Sequence, residues 1–292
     1  MSLSPPTLSS RLSALAQRLG LSGRGRLLGQ RAQELHLPFQ PLPAPRDSLW
    51  WQHSAPLERL VDMTHGALSG PVQEDKAEAR AVLLGLVREE HRSLDSFDLR
   101  QLDGLCGQPN DAWQTLEDIA NSPAGKQLRI ISYKDFVKTL SLALPRHLVG
   151  EALQLKSADW RGPRLYWCGE QQQVALACAI VYARRRGLEL MLPAELTHYR
   201  LNPAGLAELD NRYFMLAMPP QSWSDPHFMD LLLTGLPYAR LSLLRDPGAP
   251  EFLLLPKRNP DSAALGEGLR LAGAPDVVAY LRQLQAGHRT SP

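Results

Sequence analysis

The stretch RLYWCGEQQQVALACAIVYARRRGLELML, Arg164 to Leu192, decides the fold. Leu165, Tyr166, Trp167 and Cys168 form a short apolar run rich in the aromatic residues that favour strands, and residues 188–192 form a second. Between them, residues 171–186 are long and apolar enough for a buried helix. Arg184, Arg185 and Arg186 end that helix and complement the negative end of its dipole. Strand, helix and strand in succession predict an α/β core. The same reading sets Cys168 at the start of a helix, where the positive end of the dipole favours a thiolate.

Alternation of strand and helix extends in both directions. Residues 128–133 predict a strand, and 135–144 predict a helix stopped by Pro145. Further upstream, 74–92 carries helical periodicity, with Ala79, Val82, Leu83, Leu86 and Val87 on one face, and 112–120 predicts a shorter helix. Downstream, Asn202 caps a helix that begins at Pro203, 213–218 is an apolar strand, and Ser224, Asp225 and Pro226 open another helix. Residues 238–244 and 251–255 flank the turn residues Asp246, Pro247, Gly248 and Ala249, which predicts an antiparallel hairpin. Helices at 261–271 and 275–284 close the chain. The fold class expected is α/β (or α+β), a mixed sheet of about six strands with helices packed on it.

A basic amphipathic N-terminal arm precedes this core. Residues 1–33 hold no acid but contain Arg11, Arg18, Arg24, Arg26 and Arg31, while Leu8, Leu12, Leu15 and Leu19 recur at helical spacing. Such an arm packs on the main domain or, as a lesser alternative, meets nucleic acid or an anionic surface; its composition also resembles a transit peptide. Pro38, Pro41, Pro43 and Pro45 then favour an extended connector, and the adjacent Trp50 and Trp51 anchor the chain to the core beyond it. The expected organisation is a basic helical arm (1–36), a proline-rich linker (37–47), one α/β domain (48–286) and a flexible tail (287–292).

A formal charge of +2 over 292 residues offers no global field for nucleic acid or membrane binding. Three irregularly spaced cysteines make neither a disulfide framework nor a zinc motif, which points to a reducing interior. No apolar run is long enough to span a membrane, and the start lacks the apolar core of a signal peptide. A soluble cytoplasmic protein is expected, and the preference for Arg over Lys suits a high-GC bacterial coding background.

Cys168, His198 and Asp210 are the sharpest catalytic candidates, because a thiol nucleophile needs a base and the base needs an orienting acid. Their order resembles that of the transglutaminase-type cysteine fold, in which a helix-start Cys, a strand His and a strand Asp meet; here Asp210 falls on a predicted helix. Cys178, among alanines in mid-helix, reads as core. Two further sets, Glu58, Asp62 and His65, then His91, Asp95 and Asp98, have i, i+4, i+7 spacing. On continuous helices they would hold divalent metals for phosphoester hydrolysis, and otherwise they line a solvated face. The glycines at 23, 25 and 29 and at 266, 268 and 273 do not follow a strand in a βαβ unit, so no nucleotide or other cofactor is expected. The leading expectation is an accessory or protein-interaction protein. A cysteine-dependent hydrolase or acyl transferase is the alternative, and a metal-dependent phosphoester hydrolase the second.

Overall fold

Sequence-local signals set most helix starts. The computed structural model describes residues 21–44, 46–146, 149–169, 172–244 and 248–286. In chain order the helices are α1 (Leu21–Gln33), α2 (Gln73–Leu84), α3 (Leu116–Asn121), α4 (Pro123–Gln127), α5 (Tyr133–Ala143), α6 (Gln173–Arg186), α7 (Pro203–Arg212), α8 (Pro226–Leu232), α9 (Pro260–Leu271) and α10 (Val277–Ala286). The strands are β1 (Leu68–Ser69), β2 (Val87–Asp98), β3 (Gly104–Leu105), β4 (Leu153–Ala158), β5 (Tyr166–Trp167), β6 (Met191–Leu201), β7 (Tyr213–Met218), β8 (Ala239–Leu241) and β9 (Glu251–Pro256). Thr115 with Asp118, and Ser132 with Asp135, close reciprocal capping boxes at α3 and α5. Asn202, Asp225 and Asn259 cap α7, α8 and α9, each with proline at the first helical position.

The molecule is mixed α/β, as the sequence predicts, with its strands divided between two sheets of four and five strands. The chain falls into two compact units. One takes its described residues from 1–43, 62–86 and 202–283, the other from 44–61, 87–201 and 284–292.

The first unit holds the four-stranded antiparallel sheet, ordered β1-β8-β9-β7. The two strands expected to flank a hairpin turn pair antiparallel, with Ala239 opposite Leu254 and Leu241 opposite Phe252, while Asp246 and Pro247 of that turn lie outside the described residues. Helices α1 and α9 pack together in this unit, and Leu28, Ala32, Leu265 and Leu269 join Leu216, Leu253 and Phe228 in its core. The approach is close enough that a Cβ on Gly268 would lie 2.4 Å from the carbonyl oxygen of Gly29. Gly29 and Gly268 therefore serve helix contact, which gives those two positions of the glycine pattern a packing explanation. The amphipathic pattern at residues 8–19 lies outside the described residues.

The second unit holds the five-stranded sheet, ordered β2-β6-β4-β5-β3. β4 runs parallel to β6 and antiparallel to β5, while β3 runs parallel to β5. Leu153 and Leu155 of β4, Ala194 of β6 and Trp167 of β5 face helix α6, whose Ala175, Leu176, Ala179 and Ile180 are fully buried. Arg184 pins the end of α6 by donating to the carbonyls of Arg100 and Leu102 and to Asp103. It is a structural strap, more specific than the dipole compensation expected of it.

Three local readings change. Residues 128–132 lead into α5 without forming a strand, because Ser132 caps that helix. The helix expected over 74–92 ends at Leu84, and β2 begins at Val87. β4 adds a central strand that the sequence reading left unplaced.

Candidate functional site

The sequence read Cys168 as a helix-start thiol. In the structure it follows β5 directly, and Cys106 follows β3 in the same way. Because β3 and β5 pair in parallel, with Leu105 beside Trp167, the next residue on each strand falls side by side. The Cys106 amide donates to the carbonyl of Trp167 and the Cys168 amide to that of Gln154, both at 2.9 Å, so both backbones are anchored. The two Sγ atoms lie 2.8 Å apart, with both cysteines free and partly exposed. Neighbouring strands sit about 4.8 Å apart, inside the separation of about 4.4–6.8 Å over which two Cα atoms accept a disulfide. Gly169 keeps the next position small, since a Cβ there would lie 1.8 Å from the Trp167 ring.

Strand alternation fixes which face the thiols share. Trp167 points into the core with Leu155, while Tyr166 sits opposite Lys156 on the other face. Trp51 covers this second face, edge-on to Tyr166 at 5.2 Å between centroids. Two cations lie over its indole, the Arg161 guanidinium at 3.8 Å and the Lys156 ammonium at 5.9 Å. Glu58 holds the ring by accepting from the Trp51 Nε1–H at 2.8 Å.

The two thiols titrate as a pair. The hydrogen bond shared with Cys106 pulls the Cys168 pKa below its ordinary value against the effect of burial, and the Lys156 charge helps. The same bond, together with burial and the Cys168 charge, pushes Cys106 up. Loss of one proton from the pair leaves a thiolate held by the remaining S–H across 2.8 Å. Burial alone raises Cys178, which is enclosed in α6 as the sequence predicts.

The structure gives His198 different partners from those expected. His198 sits opposite Ser157 across β4 and β6, on the core side, and the alternation of β4 puts Cys168 on the other side. Its Nδ1 lies 2.7 Å from Ser157 Oγ and its Nε2 lies 3.2 Å from Asp159. Asp210, on α7 of the other unit, is held by Lys257 and Arg282. Burial works to raise the Asp210 pKa, but the hydrogen bonds from Arg282 and Lys257 bring it below the usual value.

The metal sets do not lie on helices. Glu58 belongs to a 3-10 turn that ends at Leu60, and Asp62 and His65 follow in turns. His91, Asp95 and Asp98 lie on β2, whose two-residue period cannot gather an i, i+4, i+7 set, and a register shift intervenes between Leu94 and Phe97. His91 meets Glu89 and Thr197, and Asp98 pairs with Arg100. No group of three metal-ligating side chains occurs among the described residues.

A cavity of about 280 Å³ in the other unit is lined by Asp210, Tyr213, Lys257, Glu267, Arg270 and Asp276 among others. Its charges are already engaged. Lys257 pairs with Asp210, Arg270 with Glu267, and Asp276 accepts from the Ala279 amide.

Fold and site together define a mixed α/β protein with two thiols joined across neighbouring strands. The chain belongs to a family of unknown function, DUF6685, whose model matches residues 91–291, a span that includes both cysteines. No curated protein and no solved structure matches it. Cys106 was missed as a partner because 62 residues separate it from Cys168 and only the parallel pairing of β3 and β5 unites them. The available signal is a repeated Cys-Gly after an apolar residue, at Leu105-Cys106-Gly107 and Trp167-Cys168-Gly169.

Proposed function

We propose that the chain is a thiol-dependent redox protein that exchanges disulfides, with Cys168 as attacking thiolate and Cys106 as resolving thiol. The juxtaposition of the two Sγ atoms carries the reading. The Cys168 thiolate attacks one sulfur of a substrate disulfide, the substrate S–S bond breaks, and one substrate thiolate leaves with the bonding pair. Cys106 loses its proton and attacks Cys168 Sγ, releasing the second substrate thiolate. The substrate gains two electrons and the protein retains a Cys106–Cys168 disulfide. An external dithiol of the medium restores the protein by the reverse exchange.

A role as an accessory protein that acts on a partner's disulfide fits the same chemistry, and the lowered Cys168 pKa supports a nucleophilic thiol of the kind the hydrolase alternative also needs. Alkylation across pH, read by peptide mass spectrometry, tests the assignment. Cys168 is expected to react at lower pH than a free thiol, whose pKa is about 8.5, with Cys106 and Cys178 protected. Mild oxidation is expected to remove two hydrogens and link the Cys106 and Cys168 peptides. Equal reactivity at all three cysteines, with no linked peptide, would end the proposal.

A second reading rests on Ser157, His198 and Asp159. The ring can take the hydroxyl proton at Nδ1 while Asp159 fixes its tautomer through Nε2, an arrangement suited to acyl transfer. A fluorophosphonate ester is expected to label Ser157, and His198→Ala to prevent it. Failure to label across mildly acidic to mildly alkaline conditions removes this reading.

A further inference from the structure

We infer that the disulfides accepted by this site carry a carboxylate or similar oxyanion beside the S–S bond, and that Arg161 receives it. The inference rests on the redox reading above and names its substrate class.

Arg161 ends the 3-10 turn Asp159–Arg161 that follows β4. It is only 6% exposed. Its Nε and Nη2 are buried and have no hydrogen-bond partner. An unpaired buried guanidinium edge is costly, because water is removed and nothing replaces it. The Trp51 ring supports one face of the guanidinium but cannot satisfy in-plane donors, and burial pulls the Arg161 pKa down. Nε and Nη2 present the two-pronged edge that matches the two oxygens of a carboxylate.

The position is tied to the thiols. The Arg161 charge is felt at Cys106, and Lys156, over the same indole, is felt at both cysteines. Glu58 is the acid that faces this group. It spends Oε1 on Trp51, its Oε2 is also buried without a partner, and its charge opposes an incoming anion. With the Cys168 thiolate counted, two cations face two anions, so it is the unpaired Nε and Nη2 donors of Arg161, and not a net field, that single out an anionic substituent. Such a substituent gains at Arg161, whereas a cationic one leaves those donors unpaired.

The test compares three disulfide probes on the full chain: 5,5′-dithiobis(2-nitrobenzoate), bis(2-hydroxyethyl) disulfide and cystamine, which are anionic, neutral and cationic. Each rate is divided by that of a free-thiol reference to remove intrinsic reactivity. The wild-type protein is expected to favour the anionic probe over the neutral one by about tenfold, the size of one charge-assisted interaction. Arg161→Gln is expected to erase that ratio, Arg161→Lys to retain part of it, and Glu58→Gln to raise it. Lys156→Gln supplies an independent loss should Arg161→Gln fail to fold. An unchanged ratio in both Arg161→Gln and Lys156→Gln overturns the inference while leaving the dithiol intact. Wild-type protein that reacts with none of the three probes overturns both.

Discussion

Cys106→Ser protein incubated with a disulfide probe accumulates a mixed disulfide on Cys168, and Cys168→Ser protein forms none. The first variant keeps a hydroxyl where the thiol donates its hydrogen bond, so the Cys168 thiolate remains supported, but the oxygen cannot release the bound half of the probe. Cys106→Ala separates the two contributions. It removes the donor as well as the resolving sulfur, so the alkylation profile of Cys168 moves to higher pH and the adduct forms more slowly. The sign follows from the pair itself: Cys106 is the largest cause that lowers Cys168. Intact-protein mass spectrometry reads the adduct, and a time course of alkylation reads the thiolate. Release of both probe halves by either Cys106 variant, as in the wild type, would refute the assignment of a resolving thiol.

Trp50→Ala is expected to lower stability by about 3–5 kcal/mol, the range for truncating a buried aromatic. Trp50 is 1% exposed. Its indole N–H donates to the carbonyls of Asn110 and Trp113, and its backbone bridges to Leu105 of β3. The ring also stacks on Trp113 at 6.3 Å between centroids. Trp50→Phe keeps most of the volume but strands those carbonyl contacts, so its loss is expected nearer 1–3 kcal/mol, the cost of unpaired buried polar groups. Urea denaturation with an unchanged m-value measures both. A loss below about 1 kcal/mol for the alanine variant would show that the 48–51 segment is not an anchor.

Residues with strong local chemistry were the legible part of the fold. Asn202 with Pro203, the strands around Tyr213 and Glu251, and the apolar helix after Cys168 all follow from capping, periodicity and turn composition. β2 was illegible as a strand because only Val87 and Phe97 of its twelve residues are buried. Arg88, Glu89, Glu90 and Arg92 suit an exposed helix as well as an exposed strand, and it is pairing with β6 that decides between them. β4 was less hidden, since Leu153 and Leu155 alternate with Gln154 and Lys156. For the site, the sequence grouped Cys168 with His198 and Asp210, whereas the structure pairs Cys168 with Cys106 and His198 with Ser157, partners that no local pattern made readable. Both partnerships are lateral, across strands, and a one-residue change of register would abolish either.

The exposed charges on β2 bear on how the protein survives in company. Among the described residues β2 lies at the margin of its sheet and spans Val87–Asp98, a long stretch with one side of its backbone unpaired by any other strand of that sheet. Such a margin invites a neighbouring chain to add itself as a further strand. Arg88, His91, Arg92 and Asp95 are exposed along it, and the irregularity between Leu94 and Phe97 breaks the regular spacing a newcomer would need. The charges that let this segment read as a helix in the sequence therefore also oppose the addition of a further strand along this edge.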